Sequence, residues 1–209
     1  MSGWTTNDAR LVFDPVEHAY TLGDRRLPSV TQVLADVGVA DFSAPHFTEE
    51  VLQRGSRVHQ AIALDVEEVL DDGTLDAELV PYVTAWRRFL AESGAVIEHW
   101  ERPICDPEQG YAGTLDGIVV FPPTPGAVTR RTVLDIKRAL YPSVGPQTSA
   151  YARCARAFYD RPVLFNRAAL VIPGDGSYRL QMLTDPTDEH TFLAALRVFH
   201  WRRRHGIAA

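Results

Sequence analysis

Asp135 and Lys137 stand two residues apart in VLDIKRAL, a run whose apolar and β-branched residues predict a strand. Side chains alternate faces along a strand, so the carboxylate and the ammonium point to the same side. Lys137 is the only lysine in the chain; the rest of its 21 lysine and arginine positions are arginine. A lysine kept where arginine serves everywhere else marks a position that uses a compact ammonium, which can be desolvated, shift its pKa and hold a water molecule. A second acid, Asp116, lies in GTLDGI, where Gly113 and Gly117 leave room for a close-lying ligand or backbone. If the two runs pair as a hairpin, Asp116 and Asp135 converge on one sheet edge, where two carboxylates repel unless a cation lies between them. Oxygen donors point to a hard ion, magnesium or manganese.

A third donor comes from RGSRVH, which sets Gly55 one turn before His59 on a helical pattern, so that the histidine can sit where another backbone approaches. Alone, such a histidine is more often a surface or core residue than a ligand, and DxK by itself is a weak signature. In QTSAYARCAR, Gln147 and Tyr151 are four apart and share a helix face, with Arg153 and Arg156 further along. The plain expectation buries Tyr151 and leaves the arginines in solvent. The functional one sets an amide and a phenol against a nucleic-acid backbone, with arginines neutralising phosphates. Glu101, in HWERPI, is a minor candidate for a second metal through water; it and Glu98 otherwise read as ordinary strand polar residues.

These residues need elements to hold them. LVFD and HAYTL, followed by Gly23-Asp24, predict a small N-terminal hairpin. SVTQ fits a capping box from Ser29 to Gln32, opening a short helix that ends near Gly38. Helical periodicity runs from Phe47 to about Leu70 and again from Ala77 to Glu92. Three strands follow, VIEHWERPI, YAGTLDGIVVF and TVLDIKRAL, the last two joined by a Pro- and Gly-rich turn between Phe121 and Ala127. A helix over Gln147 to Tyr159, strands in VLFNRAALVI and YRLQML, and a final helix capped at Asp185-Pro186 complete the chain. The order implies an α/β sandwich around a mixed sheet. It reads as one domain: residues 1–46 a hairpin and short helix, 47–183 the core, and 184–209 the last helix.

The bulk composition narrows the classes. No apolar run approaches the roughly 18 residues that span a bilayer, and MSGWTTNDAR lacks the basic-then-apolar pattern of an export signal, so a cytoplasmic protein without a membrane partner is expected. Cys105 and Cys154 are too few and too far apart for a zinc ribbon or an iron–sulfur cluster and read as buried small residues. Net charge is -6, yet arginines crowd the segment from Arg130 to Arg167, a local basic face compatible with phosphate.

Together, RGSRVH, GTLD, DIK and QTSAY stand in the order of the GxxxH, GxxD, (D/E)xK and QxxxY motifs of the PD-(D/E)XK nuclease superfamily. The chain resembles its RecB-like branch of phage exonucleases over Arg54 to Tyr151, roughly half its length. The resemblance implies a restriction-endonuclease-like α/β sandwich and a deoxyribonuclease using one or two Mg2+ or Mn2+ ions. By position it makes His59, Asp116, Asp135 and the Ile136 carbonyl metal ligands, with Lys137 orienting or deprotonating the attacking water. Gln147, Tyr151, Arg153, Arg54 and Arg57 become DNA contacts. Branches with a four-cysteine iron–sulfur cluster are disfavoured. Phage-type relatives commonly degrade duplex ends, work beside a single-strand annealing protein and in some cases assemble into rings. The partners expected are therefore DNA, an annealing protein and further copies of the chain. A single-strand nuclease, an endonuclease or a non-catalytic DNA-binding module of the same fold are the alternatives.

Overall fold

The structure is a computed structural model and describes residues 11–40, 48–123, 130–157, 159 and 163–207. Its first unit is a three-stranded antiparallel sheet of β1 (Leu11–Asp14), β2 (Ala19–Leu22) and β3 (Arg25–Leu27). The expected hairpin thus gains a third strand. Gly23, at φ 58°, takes the left-handed conformation that a two-residue turn requires, and Leu22 pairs with Arg25 across it. The strand itself, RRL, is too short and too charged to announce itself by pattern. Helix α1 (Val30–Asp36) opens with the expected capping box: Ser29 Oγ accepts from the Gln32 amide and Gln32 Oε1 from the Ser29 amide, both at 3.0 Å. The backbone of Ala112 then donates to the Pro28 carbonyl at 3.0 Å, fastening this unit to the main sheet.

Helix α2 (Glu49–Val66) starts at a Thr48 cap with Glu49 and Glu50 in its first turn, where carboxylates complement the helix dipole. Phe47, its expected first residue, lies outside the described residues. It stops before Leu70 because Glu68 turns left-handed at φ 58°. Helix α3 (Val80–Ser93) begins three residues after Ala77, with Pro81 in its first turn, and ends at Gly94 with φ 63°.

The main sheet holds β4 (Val96–Asp106), β5 (Tyr111–Val120), β6 (Arg131–Lys137), β7 (Phe165–Val171) and β8 (Arg179–Met182), side by side in that order. All pairs are antiparallel except β6 with β7. That parallel pair needs a crossover, supplied by α4 (Val144–Ala157). Most of the turn expected between β5 and β6 lies outside the described residues, at positions 124–129, as does Arg161 of the basic segment. Helix α5 (Asp188–Arg204) is preceded by Thr187 and not by the expected Asp185-Pro186 cap. Asp185 instead accepts from the Thr187 amide and hydroxyl at 2.8 and 2.7 Å, closing a turn ahead of the helix.

Helices cover both sheet faces, an α/β architecture with a mixed sheet. On one face Ile62, Trp86 and Phe89 from α2 and α3 pack on Leu134, Ile136 and Leu170. On the other, Leu34, Ala152, Phe192 and Phe199 from α1, α4 and α5 pack on Tyr111, Ile118 and Val133. Cys105 and Cys154 are buried and carry no disulfide. Among the described residues, no helix is long and apolar enough to cross a membrane.

Candidate metal centre and its cleft

Between α2, the β1–β2 turn and the ends of β5 and β6 opens a cleft of about 1180 Å3, bordered by His18, His59, Glu101, Asp116 and Lys137. His59 comes from the third turn of α2. Its Nδ1 lies 3.2 Å from Glu101 Oε1 and 3.7 Å from Asp116 Oδ1, and one donor atom from each of the three lies within 4.8 Å of the others.

Glu101, the minor candidate, is a full member of this group. The antiparallel pairing of β4 and β5 slips between Ile97 and His99, and beyond the slip Trp100 faces Gly117 and Arg102 faces Leu115. Glu101 therefore sits opposite Asp116, and its backbone, at φ 42°, leaves the regular strand conformation. A non-glycine residue held in that region is strained, and such residues concentrate at functional sites. A signal for it existed. Asp106 pairs with Tyr111 around the four-residue connection PEQG, and counting outward from that turn puts Glu101 level with Asp116.

Asp116 and Asp135 are neighbours across β5 and β6, which are inner strands and not the expected sheet edge. The β5–β6 ladder is paired as far as Gly117 with Leu134, and Asp116 and Asp135 are the next residues in that register. Asp116 Oδ2 accepts the Ile136 amide at 2.6 Å, the contact through which Ile136 joins the site. Asp135 has no exposure and stands behind the three-donor group. Lys137 Nζ lies 2.7 Å from its Oδ2, while Oδ2 has no well-directed hydrogen bond among the described residues. Oδ1 accepts from Gln147 Nε2 at 3.3 Å, and the same amide donates to Tyr151 Oη at 3.3 Å. The cation that the two acids require is thus in part Lys137 itself. Gln147 and Tyr151 are buried beneath Asp135, where they fix its orientation.

The glycines act differently from expectation. A Cβ at Gly113 would lie 2.6 Å from the Tyr151 ring and one at Gly117 2.8 Å from the Trp100 ring, so the space beside Asp116 is filled by aromatic side chains and not by a ligand or backbone. Gly55 meets nothing within 4 Å. Among the described residues no second backbone approaches it; its missing side chain widens the cleft mouth over His59. The arginines expected at DNA are held by carboxylates. Arg54 reaches Glu50 at 2.7 Å, Arg57 reaches Asp76 at 2.7 Å and also Glu78, and Arg153 reaches Asp106 at 2.7 Å and Glu189 at 3.1 Å.

Burial disfavours a charged His59, but the carboxylates of Asp116 and Glu101 outweigh it and lift its pKa to about 9. Burial likewise pushes Asp135 up, with Lys137 opposing and Asp116 reinforcing the shift. Lys137 is raised because Asp135 and Asp116 more than offset its own desolvation. Without metal, His59 and Lys137 offset part of the charge of Glu101, Asp116 and Asp135.

No protein-family model and no curated protein matches this sequence.

The donor set itself is informative. Two carboxylates and one imidazole, with a buried third carboxylate behind them, fit a divalent cation. The nitrogen donor favours Mn2+ over Mg2+ relative to an all-oxygen site. His59, Glu101 and Asp116 are the residues that would hold it.

Proposed function

We propose that the chain is a divalent-metal-dependent deoxyribonuclease with a restriction-endonuclease-like α/β sandwich, acting as a phage-type exonuclease on duplex DNA ends in recombination or repair. The observation that carries this reading is the convergence of His59, Glu101 and Asp116 with the Asp135–Lys137 pair at one cleft. The four-motif sequence resemblance supplies the substrate class. A divalent cation bound there would lower the pKa of water and neutralise charge developing on a phosphodiester.

The side chains have separable tasks. His59, Glu101 and Asp116 bind the cation. Asp116 also anchors the Ile136 amide, holding the ends of β5 and β6 together under the reacting group. Lys137 places a positive charge where negative charge develops and can hold a water molecule through its compact ammonium, which a broad, planar guanidinium would do less well. Asp135 fixes the ammonium, and Gln147 fixes Asp135.

The test is a gel assay on linear duplex DNA labelled at either end, with a closed circle and a single strand beside it, in Mg2+, Mn2+ or chelator. Metal-dependent loss of the linear duplex that spares the circle and disappears in Lys137→Ala supports the exonuclease. Cutting of the circle makes it an endonuclease, and loss of the single strand alone a single-strand nuclease. Binding without degradation under any metal leaves a non-catalytic module.

A further inference from the structure

Away from the cleft, uncompensated positive charge gathers on α5. Arg197, His200 and Arg204 recur at three- and four-residue spacing along one flank of the helix, and with Arg203 they border a groove of about 550 Å3. The apolar face of α5 is committed to the core, where Phe192, Leu196 and Phe199 are buried, so this flank faces outward. Arg202, next to it, is taken by the carbonyl and carboxylate of Asp36. Among the described residues, Arg197, Arg203 and Arg204 meet no carboxylate; Arg203 rests over the Phe199 ring at 4.5 Å. Arg54, Arg57, Arg87, Arg131 and Arg153, by contrast, each hold an acid. In a chain of net charge -6, unpaired cations kept together make a local positive potential that can attract an anion.

Two neighbours reinforce this. Arg25, at the start of β3, adds to the same field: burial, then Arg204, Arg203 and Arg25, hold His200 below its ordinary pKa. Trp201 is 48% exposed beside the groove and stacks on His205 with ring centroids 4.6 Å apart. Clustered arginines that hold no carboxylate suit a phosphate backbone. A membrane surface would demand that an amphipathic helix turn its apolar face outward, and the apolar face of α5 is inside.

We propose that this flank of α5 binds a nucleic-acid backbone, as a second contact for the strand whose reacting phosphate enters the cleft. The inference rests on the nuclease reading for the choice of polyanion. Strand β2 links the two regions: His18, just before it, borders the cleft, and Arg25, just past its far end, lies near His200. Four extended residues and a turn span roughly 15 to 20 Å, or about five base-pair rises. A duplex held at both places would meet α5 about half a helical turn from the reacting phosphate.

The test is fluorescence anisotropy of a labelled duplex of about 20 base pairs in chelator, titrated over a range of salt. The proteins are wild type, Arg197→Gln/Arg203→Gln/Arg204→Gln and Lys137→Ala. The triple variant is expected to bind at least about tenfold more weakly at ~0.1 M salt and to lower the log–log salt slope by about two to three, with Lys137→Ala changing the slope by no more than about one. Arg197→Gln/Arg204→Gln keeps the Arg203–Phe199 contact and should show about two-thirds of the slope change without any loss of fold. Unchanged affinity and slope in both variants overturn the proposal, as does a loss confined to vesicles of phosphatidylserine. Cleavage in Mn2+, measured separately, keeps the two readings apart. Wild type that binds through α5 but never cleaves sinks the nuclease and leaves the groove. Wild type that cleaves while the variants bind normally sinks the groove alone, and wild type that binds no DNA sinks both.

Discussion

The Ile136 amide donates to Asp116 Oδ2 at 2.6 Å, so a candidate metal ligand also finishes the β-sheet. Ile136 follows the last paired position of the β5–β6 ladder, Leu134 with Gly117, and a buried amide there needs an acceptor. One carboxylate oxygen supplies it. The other faces His59 at 3.7 Å, already aimed by a strand that cannot rotate it away.

Divalent metal should stabilise the protein through this group. Mn2+ at about 100 times its Kd adds about 2.7 kcal/mol, a Tm rise of roughly 5 to 10 °C for a domain of this size. Differential scanning fluorimetry in Mn2+ and in chelator should show the rise in wild type and lose it in Glu101→Gln. A rise of equal size in that variant would remove Glu101 from the ligand set.

His59 sets the pH dependence. Its folded-state pKa, about 9, lies above its unfolded value of roughly 6.5. The protonated ring therefore stabilises the metal-free fold fully below about pH 6.5, and that contribution fades as pH rises through about 9. Metal binding must expel the same proton, so apparent Mn2+ affinity should climb with pH over this range. Calorimetric titrations at pH 6.5, 7.5 and 8.5 should show the climb in wild type, and metal-free melts should show His59→Gln with the flatter pH profile.

Comparing alanine with arginine at Lys137 should separate catalysis from folding. Lys137→Ala and Lys137→Arg should each lower metal-dependent cleavage by at least about 100-fold. Lys137→Ala also leaves Asp135 buried without its cation, at about 3 kcal/mol when ionised. Asp135 already has a raised folded-state pKa, so protonation relieves the fold: the deficit should be small at acid pH and grow as pH rises through that pKa. Melts of wild type and variant at pH 5 and pH 8 read the difference, and an equal deficit at both would show that Asp135 is not the source.

The glycines should part company. Gly113→Ala forces a Cβ to within 2.6 Å of the enclosed Tyr151 ring and should cost about 1 to 3 kcal/mol. Gly55→Ala meets nothing within 4 Å and should raise stability by up to about 1 kcal/mol, as a helix-interior glycine replaced by alanine. Gly55→Phe would fill the cleft mouth, lowering cleavage while Tm holds. Urea melts and the gel assay decide all three.

By itself, the sequence determined most of the elements, β3 excepted. The lone Lys137 two residues from Asp135 fixed a shared face because strand alternation is local. The Ser29 capping box was legible for the same reason. Only the tertiary structure decided which residues form the candidate metal group. Glu101 entered through a slip in strand register and a left-handed backbone, and Asp135 was drawn back by Lys137 and Gln147. Gly55, Gly113 and Gly117 looked alike in the chain, yet one borders open space and two accommodate aromatic rings. The arginines divided into ion-paired Arg54, Arg57 and Arg153 and the unpaired flank of α5. Periodicity and spacing report on neighbours along the chain, whereas ligand sets, ion pairs and close approaches depend on which distant segments the fold brings within a few ångströms.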